Sequence, residues 1–182
     1  MLSSVPILAI FTAVCGFVSN VAAVGPRHQL LSRNDVFNTD EQTYLWSHDS
    51  VRVFHDAPGM IWNKTLADAA SSWANNCQIQ HSDGTLLGGT PYGENIVAGS
   101  GVFGIADAIA QFTLDEADYD PSSPTYNHFT QVVWKASTQL GCAVTECPNV
   151  FGDVPANYYV CLYYPPGNVV GEASSNVFVG GL

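Results

Sequence analysis

Apolar residues recur at helical spacing in the first half of the chain and gather into β-branched and aromatic runs in the second. Thr39-Asp40-Glu41-Gln42 has the form of a capping box, with Thr at the N-cap and Gln at N3. It predicts a helix running toward His55 and stopping before the Ala57-Pro58-Gly59 breaker. Leu66, Ala69, Ala70, Trp73 and Cys77 fall at i, i+3, i+4, i+7 and i+11, one buried stripe on a second helix that starts near Asn63 or Lys64. Ile105, Ala108, Ile109 and Phe112 repeat that spacing on a third helix after Gly101. Phe129–Trp134 is β-branched and aromatic and reads as a strand, as do Gln139–Val144 and Tyr158–Tyr164. Helices first and strands later point to an α+β domain in which helices pack on an antiparallel sheet.

The N-terminus follows a different pattern. From Val5 to Val24 nearly every residue is apolar or small, and Val21-Ala22-Ala23 offers the small −3 and −1 residues of a signal-peptidase site. The expected organisation is a signal peptide over 1–23, an extension without periodicity over 24–38, and one domain over 39–182. This reading gives a secreted protein with no transmembrane anchor.

Charge and cysteines narrow the function. Five Lys and Arg against sixteen Asp and Glu give a net charge of −11. So few cations cannot build a stripe that tracks phosphates, so nucleic acid is excluded as a partner. Anionic membrane surfaces repel such a chain for the same reason. Of five cysteines, Cys15 lies in the signal segment, leaving Cys77, Cys142, Cys147 and Cys161. Four cysteines in an exported chain imply two disulfides, with three pairings open from sequence alone. Their spacing lacks the paired C-x2-C of a structural zinc site. Asn63-Lys64-Thr65 is a sequon and makes Asn63 a glycosylation candidate.

Several motifs carry a resemblance. His128-Phe-Thr-Gln-Val-Val-Trp134 resembles the H-[FY]-T-Q-[VL]-[VL]-W signature of the CAP superfamily (cysteine-rich secretory, antigen 5 and pathogenesis-related 1 proteins). Tyr163-Tyr-Pro-Pro-Gly-Asn-Val-Val-Gly171 resembles the second signature of that family. His81-Ser82 with Gly93-Glu94-Asn95, and His48-Asp-Ser-Val-Arg52, resemble two further elements, so the likeness spans Thr39 to Gly171. It is closest to fungal pathogenesis-related 1-like proteins. The resemblance implies an α-β-α sandwich, with a small antiparallel sheet between helical layers. It also implies the pairings Cys77–Cys147 and Cys142–Cys161.

In many family members two His and two Glu converge in a central cleft where a divalent metal can rest on the imidazoles. The matching positions here are His81, Glu94 and His128, with Asp115 where the family has Glu. Three outcomes stand open: the shorter Asp115 suffices, Glu116 replaces it from about 100° around the helix, or the set of four is incomplete. Neutral imidazoles bind zinc and carboxylates orient bound water, so His81 and His128 are the candidate ligands for zinc or another divalent cation, although no cofactor is required. The alternative is that these residues hydrogen-bond one another and fix packing. His48 and Arg52 are read as structural, bonding loop carbonyls. His28 and His55 are read as solvated, and Trp62, Trp73 and Trp134 as core.

For function, the resemblance implies non-enzymatic binding of sterols or fatty acids outside the cell. Sterols are gripped in some members by an aromatic loop before the H-F-T-Q segment, here Tyr119–Asn127 with Tyr119, Tyr126 and Phe129 as its aromatics, and fatty acids by a groove between helices. Two other readings are a hydrolase using the His/Glu cleft and a metal-bound water, and a module that contacts a host or cell-wall protein.

Overall fold

Residues 39–180 are described by a computed structural model; the expected signal peptide, the extension over 24–38 with His28, and residues 181–182 lie outside the described residues. Helix α1 (Asp40–Arg52) begins as its capping pattern predicts, with Gln42 N–H donating to the Thr39 hydroxyl at 3.3 Å. A short 3-10 turn over Val53–His55 follows, and Asp56 ends it in the left-handed region. Strand β1 (Ile61–Trp62) leads into α2 (Lys64–Ala74), capped by Asn63, whose Oδ1 accepts from Thr65 and Leu66 N–H. Strand β2 (Gly93–Gly99) precedes α3 (Ile105–Thr113), a 3-10 turn over Leu114–Asp118, and α4 (His128–Val132). The long strands β3 (Gln139–Phe151) and β4 (Val154–Tyr164) form a hairpin before the single turn α5 (Ala173–Asn176).

The sheet order is β1-β3-β4-β2. Its large pairings are antiparallel, while β1 joins β3 in parallel, so the sheet is mixed where an antiparallel one was expected. Along β4, Tyr158, Val160 and Leu162 face α2 and pack with Leu66, Ala70 and Ala74. Tyr159, Cys161 and Tyr163 face the other way, into a core shared with Tyr44, Ile109, Phe112, Phe129 and Trp134 of α1, α3 and the α4 region. The period of two in strands thus builds both layers of an α-β-α sandwich from one continuous apolar run. Trp134 is fully buried, and Trp62 and Trp73 are half-buried against the two cores.

The disulfides are Cys77–Cys147, which ties the end of the α2 segment to β3, and Cys142–Cys161, whose residues oppose each other on β3 and β4. In the chain-entropy picture, separations of 70 and 19 residues correspond to about 4 and about 3 kcal/mol.

One expected strand is a helix. Residues 128–132 form α4 because Asn127 caps it: Asn127 Oδ1 accepts from Thr130 N–H at 2.9 Å, and the Thr130 hydroxyl accepts from Asn127 N–H at 2.9 Å. Burial on every side selects the same large apolar residues as a strand would, so composition misleads here.

Two buried polar side chains of α1 clamp the layers. The Arg52 guanidinium is inaccessible and donates to the carbonyls of Pro58, Val132, Trp134 and Ser137 at 2.7–3.0 Å. Burial lowers its pKa to about 10, so it remains charged, with Asp49 favouring the cation. His48 Nδ1 donates to the Tyr44 carbonyl at 2.8 Å, and its Nε2 meets the Tyr163 hydroxyl at 2.9 Å. Arg52 bonds loop carbonyls as expected, whereas the carbonyl that His48 bonds is Tyr44 of its own helix, and its other partner is a tyrosine hydroxyl.

Candidate functional site: two histidine–carboxylate pairs and a helix groove

Glu94 lies on β2, paired through its backbone register to Leu162 of β4, and its side chain is 7% exposed. Ser82 supplies both of its hydrogen-bonding groups to that carboxylate: the N–H donates to Oε1 at 3.0 Å and the hydroxyl donates to Oε2. The Tyr92 hydroxyl in turn lies 2.5 Å from the Ser82 hydroxyl. His81, more than half exposed, donates from Nδ1 to Glu94 Oε1 at 2.6 Å. A carboxylate accepts only, so Nδ1 carries a proton, and in the neutral ring Nε2 is then the acceptor.

The second pair repeats this arrangement. Asp115, on the 3-10 turn after α3, accepts through one oxygen from both the backbone N–H of His128 at 3.1 Å and its Nδ1 at 2.8 Å. The shorter side chain therefore suffices, because the turn brings its backbone close. Asn127 Nδ2 fixes that approach by donating to the Asp115 carbonyl. Phe112 stacks on the His128 ring, and Asn95 Nδ2 donates to the His128 carbonyl at 3.0 Å. Glu116 does not replace Asp115: it turns to the opposite side, with Oε1 3.6 Å from His55 Nε2.

His81, Glu94, Asp115 and His128 line one cleft of about 350 Å³ together with Asn95, Tyr126 and Asn168. Among the described residues, no group of three or more His, Cys, Asp or Glu side chains is placed to share a metal ion. Glu94 and Asp115 take the Nδ1 side of the two imidazoles, which leaves Nε2 as the ring nitrogen not held by a carboxylate in each. Ser82, Tyr92, Asn95 and Asn127 support the cleft without having been singled out from sequence. Ser82 and Asn95 sit inside the quoted motifs and Asn127 directly precedes His128, and their roles as donors appear only once the chain folds.

The loop over Tyr119–Asn127 differs from its expected form. Phe129 is fully buried in the core and does not flank a rim. Tyr119 packs on Phe129 at 6.1 Å, and Tyr126 leans on Trp134 at 6.4 Å, its hydroxyl accepting from Gly171 N–H at 2.7 Å. The loop turns its aromatics inward because α4 offers an apolar floor beneath them, while residues 120–125 are exposed. Asn63, the sequon residue, is half-buried and occupied on both sides, as cap of α2 and as donor to Gln139.

A second concavity lies between α1 and α3. A groove of about 670 Å³ is lined by Ser50, Val51, Val53, Phe54, His55, Asp56, Thr113, Glu116 and Gly180. It continues into a smaller space bounded by Trp46, Ser47, Ile109 and Ala110. Val53 and Phe54 are two-thirds exposed, and the buried Ser47 hydroxyl has no hydrogen-bond partner. His55, expected in solvent, is 4% exposed: its Nδ1 donates to the Phe178 carbonyl at 2.8 Å and its ring packs on Phe129. The C-terminal segment covers it, a long-range contact with no local signal. Adjacent apolar residues Val53 and Phe54, just before a Pro-Gly breaker, are the one sequence cue to the groove.

Residues 47–163 match the family model described as CAP, the cysteine-rich secretory protein family. Fruiting body protein SC7 of Schizophyllum commune is 36% identical over 141 residues, which cover 69% of this chain and 64% of SC7. Secreted protein RBT4 of Candida albicans is 37% identical over 140 residues, covering 71% of this chain and 36% of RBT4. The chain thus spans less than two thirds of the length of these relatives. Among solved structures, that of NaASP2 with Zn2+ superposes with a TM-score of 0.58 at 24% identity, over 79% of this chain and 87% of that one, a likeness of fold.

Proposed function

The chain belongs to the cysteine-rich secretory protein family, and from that membership we propose that it works outside the cell as a non-enzymatic binder of apolar lipids, sterols or fatty-acyl compounds. The observation that carries this reading is the α1–α3 groove, whose volume of about 670 Å³ and walls of Val51, Val53 and Phe54 suit a drug-sized or single-chain apolar ligand. The unpartnered Ser47 hydroxyl along its continuation offers a hydrogen bond to a polar atom of such a ligand. Two disulfides support an oxidising location, and one relative carries the word secreted in its name. The inward-turned Tyr119 and Tyr126 leave the 120–125 loop with less apolar surface to offer, so the groove is the stronger lipid site.

The test is saturable binding of radiolabelled cholesteryl acetate and palmitate to the purified protein, to Ser50→Trp, which fills the groove, and to a variant lacking residues 121–125. Loss only in Ser50→Trp supports the groove. Loss only in the loop deletion moves the site to the loop, and no binding of either lipid overturns the proposal.

The matched His81–Glu94 and His128–Asp115 pairs favour a second reading, in which the cleft holds a divalent cation on the two Nε2 atoms. Zinc bound there would supply a Lewis acid. Equilibrium dialysis against Zn2+ would show about one equivalent bound, lost in His128→Ala; no bound metal in the unaltered protein overturns it.

A further inference from the structure

We infer that Asn63 carries an N-linked glycan whose first N-acetylglucosamine seats in a neutral pocket beside it, between the start of α2, the start of β3 and the end of β4. Asn63-Lys64-Thr65 is the sequon, and Asn63 stands where β1 passes into α2. Its amide serves the fold twice, and a glycan leaves both services intact. Oδ1 caps α2 by accepting from Thr65 and Leu66 N–H, and a glycosylated amide keeps that oxygen. Nδ2 donates one hydrogen to Gln139 Oε1, which leaves the second to be replaced. In the transfer, Nδ2 forms a bond to the anomeric carbon of a lipid-pyrophosphate-linked oligosaccharide. The carbon–oxygen bond to the pyrophosphate breaks, the lipid pyrophosphate leaves with the electron pair, and Nδ2 gives up that second proton. Transfer to the unfolded chain is not hindered by the half-burial of Asn63 in the folded one. Only an exported chain meets this donor, so the inference rests on the extracellular reading above.

The pocket has the chemistry of a sugar seat. It measures about 430 Å³ and is lined, besides Asn63, by Thr65, Leu66, Leu87, Thr90, Gln139 and Tyr164. That volume lies toward the low end of the range of about 300–1,000 Å³ for ligand pockets, room for one acetamido sugar. Among the described residues that line it none is charged, so it favours a neutral guest over an ion. Tyr164, 36% exposed, and the half-buried Leu87 offer apolar surface to the C–H face of a pyranose. Thr65, Thr90 and Gln139 bring hydroxyl and amide groups for the sugar's hydroxyls and acetamide. The same glycan shields an open sheet edge. Strand β1 lies at one end of the sheet order, and its Ile61 is 65% exposed. Ile61 and Asn63 alternate with the core-packed Trp62, which puts both on one side of the strand.

The test uses the full chain, with its own N-terminus, expressed in a yeast host and collected from the medium. Peptide mass spectrometry after peptide-N-glycosidase F in heavy-oxygen water should show Asn63 converted to a labelled Asp. Tyr164→Ala and Leu87→Ser keep the sequon and remove contacts of the seat, so each should speed release of the glycan from the folded protein by about ten-fold. Trimming to a single N-acetylglucosamine with endoglycosidase H should leave the urea unfolding midpoint unchanged. Thr65→Ala, which abolishes the sequon but keeps Asn63 as cap, should lower that midpoint, while Thr65→Ser, which keeps the sequon, should not. An unoccupied Asn63 in the exported protein overturns the inference. An occupied Asn63 whose release ignores both Tyr164→Ala and Leu87→Ser belongs to a glycan free in solvent, and overturns the seat. A midpoint that falls on trimming as far as in Thr65→Ala also overturns it, since the outer sugars would then carry the effect. A chain absent from the medium fails the extracellular reading first and this inference with it.

Discussion

The Tyr163 hydroxyl donates its proton to His48 Nε2 across 2.9 Å, and the direction is fixed by the other side of the ring. His48 Nδ1 faces the Tyr44 carbonyl, which can only accept, so Nδ1 carries the single proton of a neutral imidazole. Asn95 Nδ2 donates to the same tyrosine oxygen and to the His128 carbonyl. One chain of hydrogen bonds thus runs from α1 through β4 and β2 to the helix bearing a cleft histidine.

That chain sets a pH dependence. Burial pushes the His48 pKa down from its usual 6.5 to about 4. Between those values the unfolded chain binds a proton that the native state refuses, so stability rises with pH through the window. The contribution is complete above about 6.5 and lost as pH falls to 4. Across that window the stability at stake is on the order of 3 kcal/mol. Urea unfolding from pH 7.5 to 4 should show this slope in the unaltered protein and a shallower one in His48→Gln. Parallel curves would refute the assignment.

Arg52 holds a different part of the structure, and its loss should be severe. Removing the guanidinium takes the side-chain donor from the carbonyls of Pro58, Val132 and Ser137 in a dry interior, and leaves Trp134 with the Ser137 N–H alone. Arg52→Met should cost about 3–5 kcal/mol. Arg52→Lys should recover little, because an ammonium cannot reach carbonyls spread around a planar fork. Chemical denaturation of both variants checks this, and a well-stabilised lysine variant would contradict the geometric reading.

How much of this was legible depended on the range of the signal. The starts of α1 and α2 were readable because Thr39 and Asn63 cap within three residues, and the core stripe of α3 because Ile105, Ala108, Ile109 and Phe112 repeat at helical spacing. The α4 segment was misread although Asn127 and Thr130 carry a cap of the same kind, because β-branched and aromatic content spoke louder. Strand β2 was visible only as the Gly93-Glu94-Asn95 motif. The cleft histidines came from resemblance, whereas the sufficiency of Asp115 needed the 3-10 turn that follows α3. The burial of His55 depends on a segment more than a hundred residues away, which no local pattern encodes.

The two carboxylates should impose the same tautomer on both cleft histidines. Nitrogen-15 NMR of the imidazoles should find His81 and His128 protonated on Nδ1 when neutral, since Glu94 and Asp115 accept there. Asp115→Ala should return His128 to the mixture of a free imidazole while leaving His81 unchanged. Asp115→Glu should keep the Nδ1–H form if the longer arm still reaches. A His128 signal that ignores Asp115→Ala would mean the contact does not set the proton.

Between β2 and the segment after β4, the Gln131 amide is sandwiched by Gly93 and Gly167. A Cβ on Gly93 would lie 2.0 Å from Gln131 Oε1, and one on Gly167 would lie 2.5 Å from Gln131 Nε2. Gln131 cannot step aside freely: it is 1% exposed, accepts from Gly167 N–H at 3.0 Å and donates to the Ser137 hydroxyl. Gly93→Ala should therefore cost about 1–3 kcal/mol through overpacking. It should also disturb the adjacent Glu94, visible as a changed His81 imidazole signal. If the clash is the cause, Gln131→Ala should relieve part of it, giving a coupling above about 0.5 kcal/mol in a double-mutant cycle. Strict additivity would place the cost of Gly93→Ala elsewhere, since Gly93 has ordinary strand dihedrals and no left-handed backbone to lose.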